Sequence, residues 1–152
     1  MLNRIDYKFP LKFQQTFSLM NIKELLLNVG LIISLGFGIF HFFIPDVFKW
    51  FSYIPDAPRN LVVSIKWTNY FFSLLLSGLS LLLLLFQRRV LEKDVMAIIF
   101  YIFMVIVWLS RVIITILLPF NGAYDLTFLI QELIFLAVFI ILLIPIVLIL
   151  YE

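Results

Sequence analysis

The sequence predicts an all-α integral membrane protein: a four-helix bundle with its N- and C-termini on the cytoplasmic side. Of its 152 residues, 64% are hydrophobic and only 13% are charged, which is too little polar surface for a soluble domain. Four apolar runs are each long enough to supply the roughly 20 residues that cross a bilayer. Basic residues gather at one side of these runs, as is typical of cytoplasmic faces.

The first 24 residues mix basic and apolar side chains and precede the first apolar run without a small-residue cleavage site. We predict that residues 1–24 form a cytoplasmic segment lying on the membrane surface, not a cleaved signal peptide. Residues 25–152 form the four-helix domain. Its spans are predicted at about 25–44, 61–86, 95–118 and 126–151.

Turn signals separate the four spans. A connection rich in proline and aromatic residues follows the first span, Gln87-Arg88-Arg89 ends the second, and Pro119-Phe120-Asn121-Gly122 predicts a turn after the third. Pro145 lies inside the fourth span, where we expect a bend that neighbouring helices make tolerable.

The basic residues near the span ends predict the orientation. One side of the membrane receives seven of them: Arg4, Lys8, Lys12, Lys23, Arg88, Arg89 and Lys93. The other side receives Lys49 and Arg59, with Lys66 at a helix edge. The first group marks the cytoplasmic face, so the sequence predicts a multi-pass protein of the cell membrane whose 45–60 and 119–125 connections face out.

Composition excludes several kinds of site. The chain has no cysteine, which excludes disulfides, iron–sulfur clusters and Cys-ligated zinc. Its one histidine, His41, excludes a bis-histidine haem within a single chain. We predict no metal, and the sequence identifies no cofactor. The net charge of +2 gives no indication of a nucleic-acid partner.

Polar residues inside the spans are the main functional signal. Each of the four spans places such residues toward its outer end, and together they are His41, Lys66, Asn69, Arg111, Gln131 and Glu132. At about 1.5 Å per residue they fall within roughly the outer third of the membrane. Because lipid offers these groups no partner, they should face other helices or a cavity.

Helical spacing places the polar residues on faces shared with small or aromatic side chains. The first span aligns Gly30, Ser34, Gly38 and His41; the second aligns Lys66, Asn69, Ser73, Ser77 and Ser80; the third aligns Tyr101, Met104, Trp108, Arg111 and Thr115. The pair Ser34 and Gly38 has the spacing that lets membrane helices approach closely. The serine stripe indicates helix packing more than function.

Arg111 lies too deep in the membrane for its side chain to extend readily to the aqueous phase. We therefore predict that it pairs with Glu132 on the next helix. Such a pair can fix helix register or contact a ligand, and the sequence does not decide between the two. His41, at a helix end, is more typical of an interface hydrogen-bonding group than of a catalyst. The candidate ligand-binding residues are therefore His41, Lys66, Asn69, Trp108, Arg111 and Glu132, with no catalytic residue identified.

The stretch Gly38-Ile-Phe-His-Phe-Phe-Ile-Pro-Asp-Val-Phe-Lys-Trp-Phe-Ser-Tyr-Ile-Pro55 resembles a signature of the DoxX-like membrane protein superfamily. Its elements are a small residue, His-Phe, a nearby proline, an aromatic residue and a further proline before the second span. The resemblance covers about residues 25–120. It implies a four-helix bundle in a family named after a subunit of a thiosulfate–quinone oxidoreductase. Members often carry a glutamate early in the second span, where this chain has Lys66-Trp67-Thr68-Asn69. This departure weakens the transfer of a redox role, and if the outer site needs an acid, Glu132 would have to supply it.

Three functions compete. The preferred one is a binding or accessory membrane protein whose outer cluster holds a quinone, a lipid headgroup or a partner protein, with Arg111 and Lys66 attracting an anionic or carbonyl group. The alternative is a membrane-embedded enzyme, an oxidoreductase subunit or isomerase, using His41 and Glu132 for proton transfer. A transporter ranks last because the spans show no continuous polar path. A homo-oligomer is compatible with each.

Overall fold

The computed structural model describes residues 11–119 and 124–151, and in this part of the chain every regular element is helical. The four long helices are α1 (Leu11–His41), α3 (Arg59–Leu85), α5 (Val95–Leu117) and α6 (Leu126–Tyr151). Three short elements connect them: α2 (Ile44–Val47), a 3₁₀ turn (Trp50–Tyr53) and α4 (Gln87–Leu91). Four helices in this part of the chain are long and apolar enough to cross a membrane, which confirms the predicted helical architecture with four candidate spans.

The observed helices follow the predicted spans closely at three of the four positions, and α1 is the exception. It begins at Leu11 and continues for 31 residues, so residues 11–24 belong to the same helix as the first span. These residues contain neither proline nor glycine, and nothing interrupts the helix there. At about 1.5 Å per residue α1 is roughly 46 Å long, which exceeds the ~30 Å hydrocarbon layer.

Parts of two predicted features lie outside the described residues. They are residues 1–10 of the predicted surface segment and residues 120–123 of the predicted turn. Across the other connections the chain is compact. Lys49 takes a left-handed conformation with φ 49° between α2 and the 3₁₀ turn. The Asp94 carboxylate accepts a hydrogen bond from the Ala97 N–H at 3.0 Å and so caps α5.

Helix α1 contacts two of the other three long helices closely. It packs along α3 on one side and along α6 on the other, while α5 packs along α6 and meets α3 only sparsely. Because the chain reverses direction between successive long helices, α1 and α5 end where α3 and α6 begin. We call this the His41 end of the bundle.

The contact between α1 and α3 is close because small residues line it. A Cβ on Gly38 would lie 2.6 Å from the Ser77 backbone nitrogen, so only glycine fits there. Ser73 and Ser80 are fully buried at the same contact. Their hydroxyls donate to backbone carbonyls four residues earlier, Asn69 at 2.6 Å and Leu76 at 2.7 Å. The packing interpretation of the serine stripe and of the Ser34–Gly38 pair agrees with this geometry.

The contact between α5 and α6 includes the proline in the fourth span. Pro145 is buried and has no N–H, so the carbonyl of Ile141 lacks its usual helical donor. Tyr101, also fully buried, donates its hydroxyl proton to the adjacent carbonyl of Leu142 at 2.7 Å. A neighbouring helix thus supplies a hydrogen-bond donor one residue from the carbonyl that the proline frees.

Candidate functional site

The His41 end carries titratable side chains on three helices, His41 of α1, Arg111 of α5 and Glu132 of α6. We call them the His41–Arg111–Glu132 cluster. His41 is only 9% exposed and Arg111 and Glu132 are half-buried. The Arg111 guanidinium lies close enough to His41 to act on it electrostatically. The sequence placed these residues at one level, and the fold puts all three at the same end of the bundle.

Aromatic rings form the inner wall of the cluster. The Arg111 guanidinium carbon lies 4.7 Å from the centre of the Phe135 ring, within the range of a cation–π contact. Phe135 packs edge-on against Trp108 at 6.1 Å and against Phe37 at 6.0 Å between ring centres. Arg111 therefore borders an apolar surface made of aromatic rings.

The predicted Arg111–Glu132 pair is not formed in the described part of the chain. Both carboxylate oxygens of Glu132 are shielded from solvent and accept no hydrogen bond within the described part of the chain. The reason is angular. Phe135 follows Glu132 by three residues, about 60° around the helix, and it is Phe135 that α6 presents to Arg111. The register interpretation of this pair therefore has no support.

Trp108 has a structural role at the base of the cluster. It is 3% exposed, and its indole N–H donates to the Ser34 hydroxyl of α1 at 2.9 Å. Ser34 is also 3.0 Å from the Ser80 hydroxyl of α3, so a single serine joins three helices. Trp108, a candidate ligand-binding residue from the sequence, is thus buried and hydrogen-bonded within the core.

Asn69 and Lys66, three residues apart on α3, contact different partners. The Asn69 side-chain amide donates to the His41 backbone carbonyl at 2.8 Å and thereby caps the end of α1. Lys66 is exposed, and its ammonium lies 4.9 Å from the centre of the Phe51 ring in the connection between α1 and α3. Asn69 thus has a structural partner, whereas Lys66 faces outward.

The cluster contains unsatisfied polar atoms that a ligand could use. The His41 Nδ1 atom is shielded from solvent and, like both Glu132 oxygens, has no hydrogen-bond partner among the described residues. No hydrogen bond therefore joins His41 to Glu132, which the proton-transfer hypothesis required. No three histidine or acidic side chains in the described part of the chain are arranged to hold a metal ion. The unsatisfied groups are suited to binding a polar molecule that carries both donors and acceptors.

Sequence reasoning missed the partners that hold this site. Phe37 and Phe135 gave no signal among the 18 phenylalanines of the chain. The Ser34–Trp108 bond had only an indirect signal, because both residues were placed on the polar faces of their helices. Which side chains pair across helices depends on which helices face each other, and the sequence does not give this.

The chain matches no protein-family model, and comparison with curated proteins and with solved structures also finds no match.

Proposed function

We propose that this chain is a small multi-pass membrane protein that binds an amphiphilic molecule in the His41–Arg111–Glu132 cluster, as a binding protein or as the accessory subunit of a larger assembly. The observation that carries the proposal is the Glu132 carboxylate, whose two oxygens are shielded from solvent without a hydrogen-bond donor. Burying a carboxylate unpaired is costly, so natural proteins seldom retain one without a partner that arrives from outside.

The chemistry of the cluster selects the ligand class. Arg111 and His41 supply donors for a carbonyl or anionic oxygen, while Glu132 supplies two acceptors for a hydroxyl group. A quinone offers carbonyl oxygens to Arg111, and its reduced quinol form offers hydroxyl protons to Glu132. A lipid headgroup or a partner protein presents a similar combination. Among these three, the quinone–quinol couple matches both the donors and the acceptors of the cluster most directly.

The apolar wall beside Arg111 supports the same class of ligand. Phe135 and Phe37 border the cluster, so a flat ring has aromatic surface to pack against. A membrane-embedded enzyme remains the alternative. The missing hydrogen bond between His41 and Glu132 places it second, because a proton-transfer pair needs contact within ~2.6–3.2 Å or a shared water.

The proposed orientation puts both termini and α4 on the cytoplasmic side of the cell membrane and the His41 end outside. It rests on the basic residues Arg88, Arg89 and Lys93 around α4. The resemblance to the DoxX-like superfamily, with its link to quinone chemistry, is consistent with the ligand class and stays a prediction. A homo-oligomeric state stays a prediction as well.

Binding is tested on the protein purified in mild detergent. Mass spectrometry identifies co-purifying small molecules, and titration with a short-chain ubiquinone analogue, followed by tryptophan fluorescence quenching, gives the dissociation constant. We expect Arg111→Gln to weaken binding at least tenfold, since a charge-assisted hydrogen bond contributes about that much. Arg59→Gln is the matched control because it removes an exposed arginine at the same end of the bundle. Equal affinities for Arg111→Gln and the parent would refute the proposed site.

The orientation is tested separately, and the absence of cysteine makes the test simple. Asp56→Cys and Glu92→Cys place single thiols on exposed positions at opposite ends of the bundle. A membrane-impermeant maleimide should label Asp56→Cys in intact cells and Glu92→Cys only after lysis. The reverse pattern would place the His41 end in the cytoplasm.

A further inference from the structure

A groove of about 430 Å³ lies on the outside of the bundle where α1 meets α3, away from the aromatic wall of the cluster. Its lining is entirely apolar or aromatic: Phe42, Trp67, Tyr70, Phe71 and Leu74. Trp67 and Phe71 are more than 60% exposed, so the groove opens toward the surrounding membrane. A volume of this size is in the range of small-molecule sites.

One basic residue stands at the end of this groove. Lys66, Tyr70 and Leu74 follow one another at four-residue spacing and therefore share a face of α3. Lys66 is the member of this series nearest the start of α3, and it precedes Leu74 by about 12 Å along the helix axis. Its ammonium contacts the Phe51 ring but forms no ion pair with a described residue.

We propose that this groove is a binding site for an anionic phospholipid, with an acyl chain along Trp67, Phe71 and Leu74 and the phosphate at Lys66. The placement of the charge carries the assignment. Lipid tails lie deeper in the bilayer than their headgroups. In the same way, the apolar groove lies further from the start of α3 than the Lys66 ammonium does. Lys66 is positioned at the level where a long basic side chain reaches the headgroup region.

The inference is independent of the proposed function because it uses a different face of the bundle. His41, Arg111 and Glu132 do not line the groove. A second copy of the chain is the competing occupant. It would leave the Lys66 charge without a partner unless it brought an acid to this position, whereas a phospholipid carries its anion at the required distance from its apolar tail.

Fluorescence quenching by brominated lipids tests the site directly, because Trp67 lines the groove. The full chain is reconstituted in phosphatidylcholine vesicles containing either dibrominated phosphatidylglycerol or dibrominated phosphatidylcholine. The contribution of Trp67 is the difference between the parent and Trp67→Phe. We expect phosphatidylglycerol to be preferred about fivefold at Trp67, the contribution of one basic residue near an anionic headgroup.

Charge variants separate a specific site from general lipid contact. Lys66→Gln should abolish the preference, and Lys66→Arg should keep it. Arg88→Gln removes an exposed charge at the opposite end of the bundle and should leave the Trp67 signal unchanged. Arg111→Gln should also leave it unchanged, which distinguishes this site from the cluster. Equal quenching by the two lipids in the parent, or a preference that survives Lys66→Gln, would overturn the inference. Absence of quenching by either lipid would also overturn it, and it is the result expected if a second copy covers the groove.

Discussion

Replacing Gly38 by alanine would push a methyl group into the backbone of the neighbouring helix. The new Cβ would lie 2.6 Å from the Ser77 nitrogen and 2.8 Å from its Cα, and neither atom can rotate away. Ordinary contact begins near 3.4 Å, so α1 and α3 must separate by about 0.8 Å at this point. That movement also stretches the Ser80–Ser34 contact, now 3.0 Å, and the Asn69–His41 bond, now 2.8 Å.

Overpacking of this kind costs about 1–3 kcal/mol, equivalent to a fall in Tm of roughly 2–12 °C for a chain of this size. Gly36→Ala is the matched control, because Gly36 lies two residues away in the same helix and a Cβ there meets nothing within 4 Å. The gain in helix propensity from glycine to alanine is common to both variants and cancels in the comparison. Thermal unfolding in mild detergent measures the difference. Identical Tm values for the two variants would refute the close approach of α1 and α3.

Four further outcomes are expected from the same unfolding assay. The effects of Ser34→Ala and Trp108→Phe on the free energy of unfolding should be non-additive, with a coupling of about 0.6–1.7 kcal/mol, because each removes one side of the 2.9 Å bond. Additive effects would contradict the bond. Tyr101→Phe should destabilise by about 0.6–1.7 kcal/mol through loss of the Leu142 bond, whereas Tyr53→Phe, at an 80% exposed position, should not. Asn69→Ala should cost about 0.5–1.5 kcal/mol by removing the donor to the end of α1; an unchanged Tm would exclude a capping role. Glu132→Leu should stabilise the ligand-free protein by about 1–4 kcal/mol, since its carboxylate is unpaired; an Arg111–Glu132 ion pair would give the opposite sign.

The sequence was sufficient to predict the helical spans and the small-residue contact. Apolar length determines where a helix can cross lipid, so α3, α5 and α6 lie where hydropathy places them. The four-residue spacing of Ser34 and Gly38 similarly indicated a packed face, and Gly38 meets Ser77 there. Both inferences depend only on the geometry of one helix at a time.

Partners across helices could not be predicted in the same way. Depth along a helix follows from residue number, but the direction of a side chain depends on how each helix is rotated against its neighbours. Arg111 and Glu132 were correctly assigned to neighbouring helices, yet a rotation of about 60° puts Phe135 under the guanidinium instead. Trp108 was named as a candidate ligand-binding residue because the sequence gives its depth but not its direction. In the structure its N–H points into the core and donates to Ser34.

The uneven contacts of α5 bear on how a molecule would reach the cluster. α5 packs extensively against α6 and only sparsely against α3. Separation of α5 from α3 therefore disrupts the least packing. A hydrophobic ligand would then arrive sideways from the lipid, without crossing the aqueous phase. Its association rate would follow its mole fraction in the bilayer, and a compound that partitions strongly into membranes would reach the protein quickly even when its concentration in water is negligible.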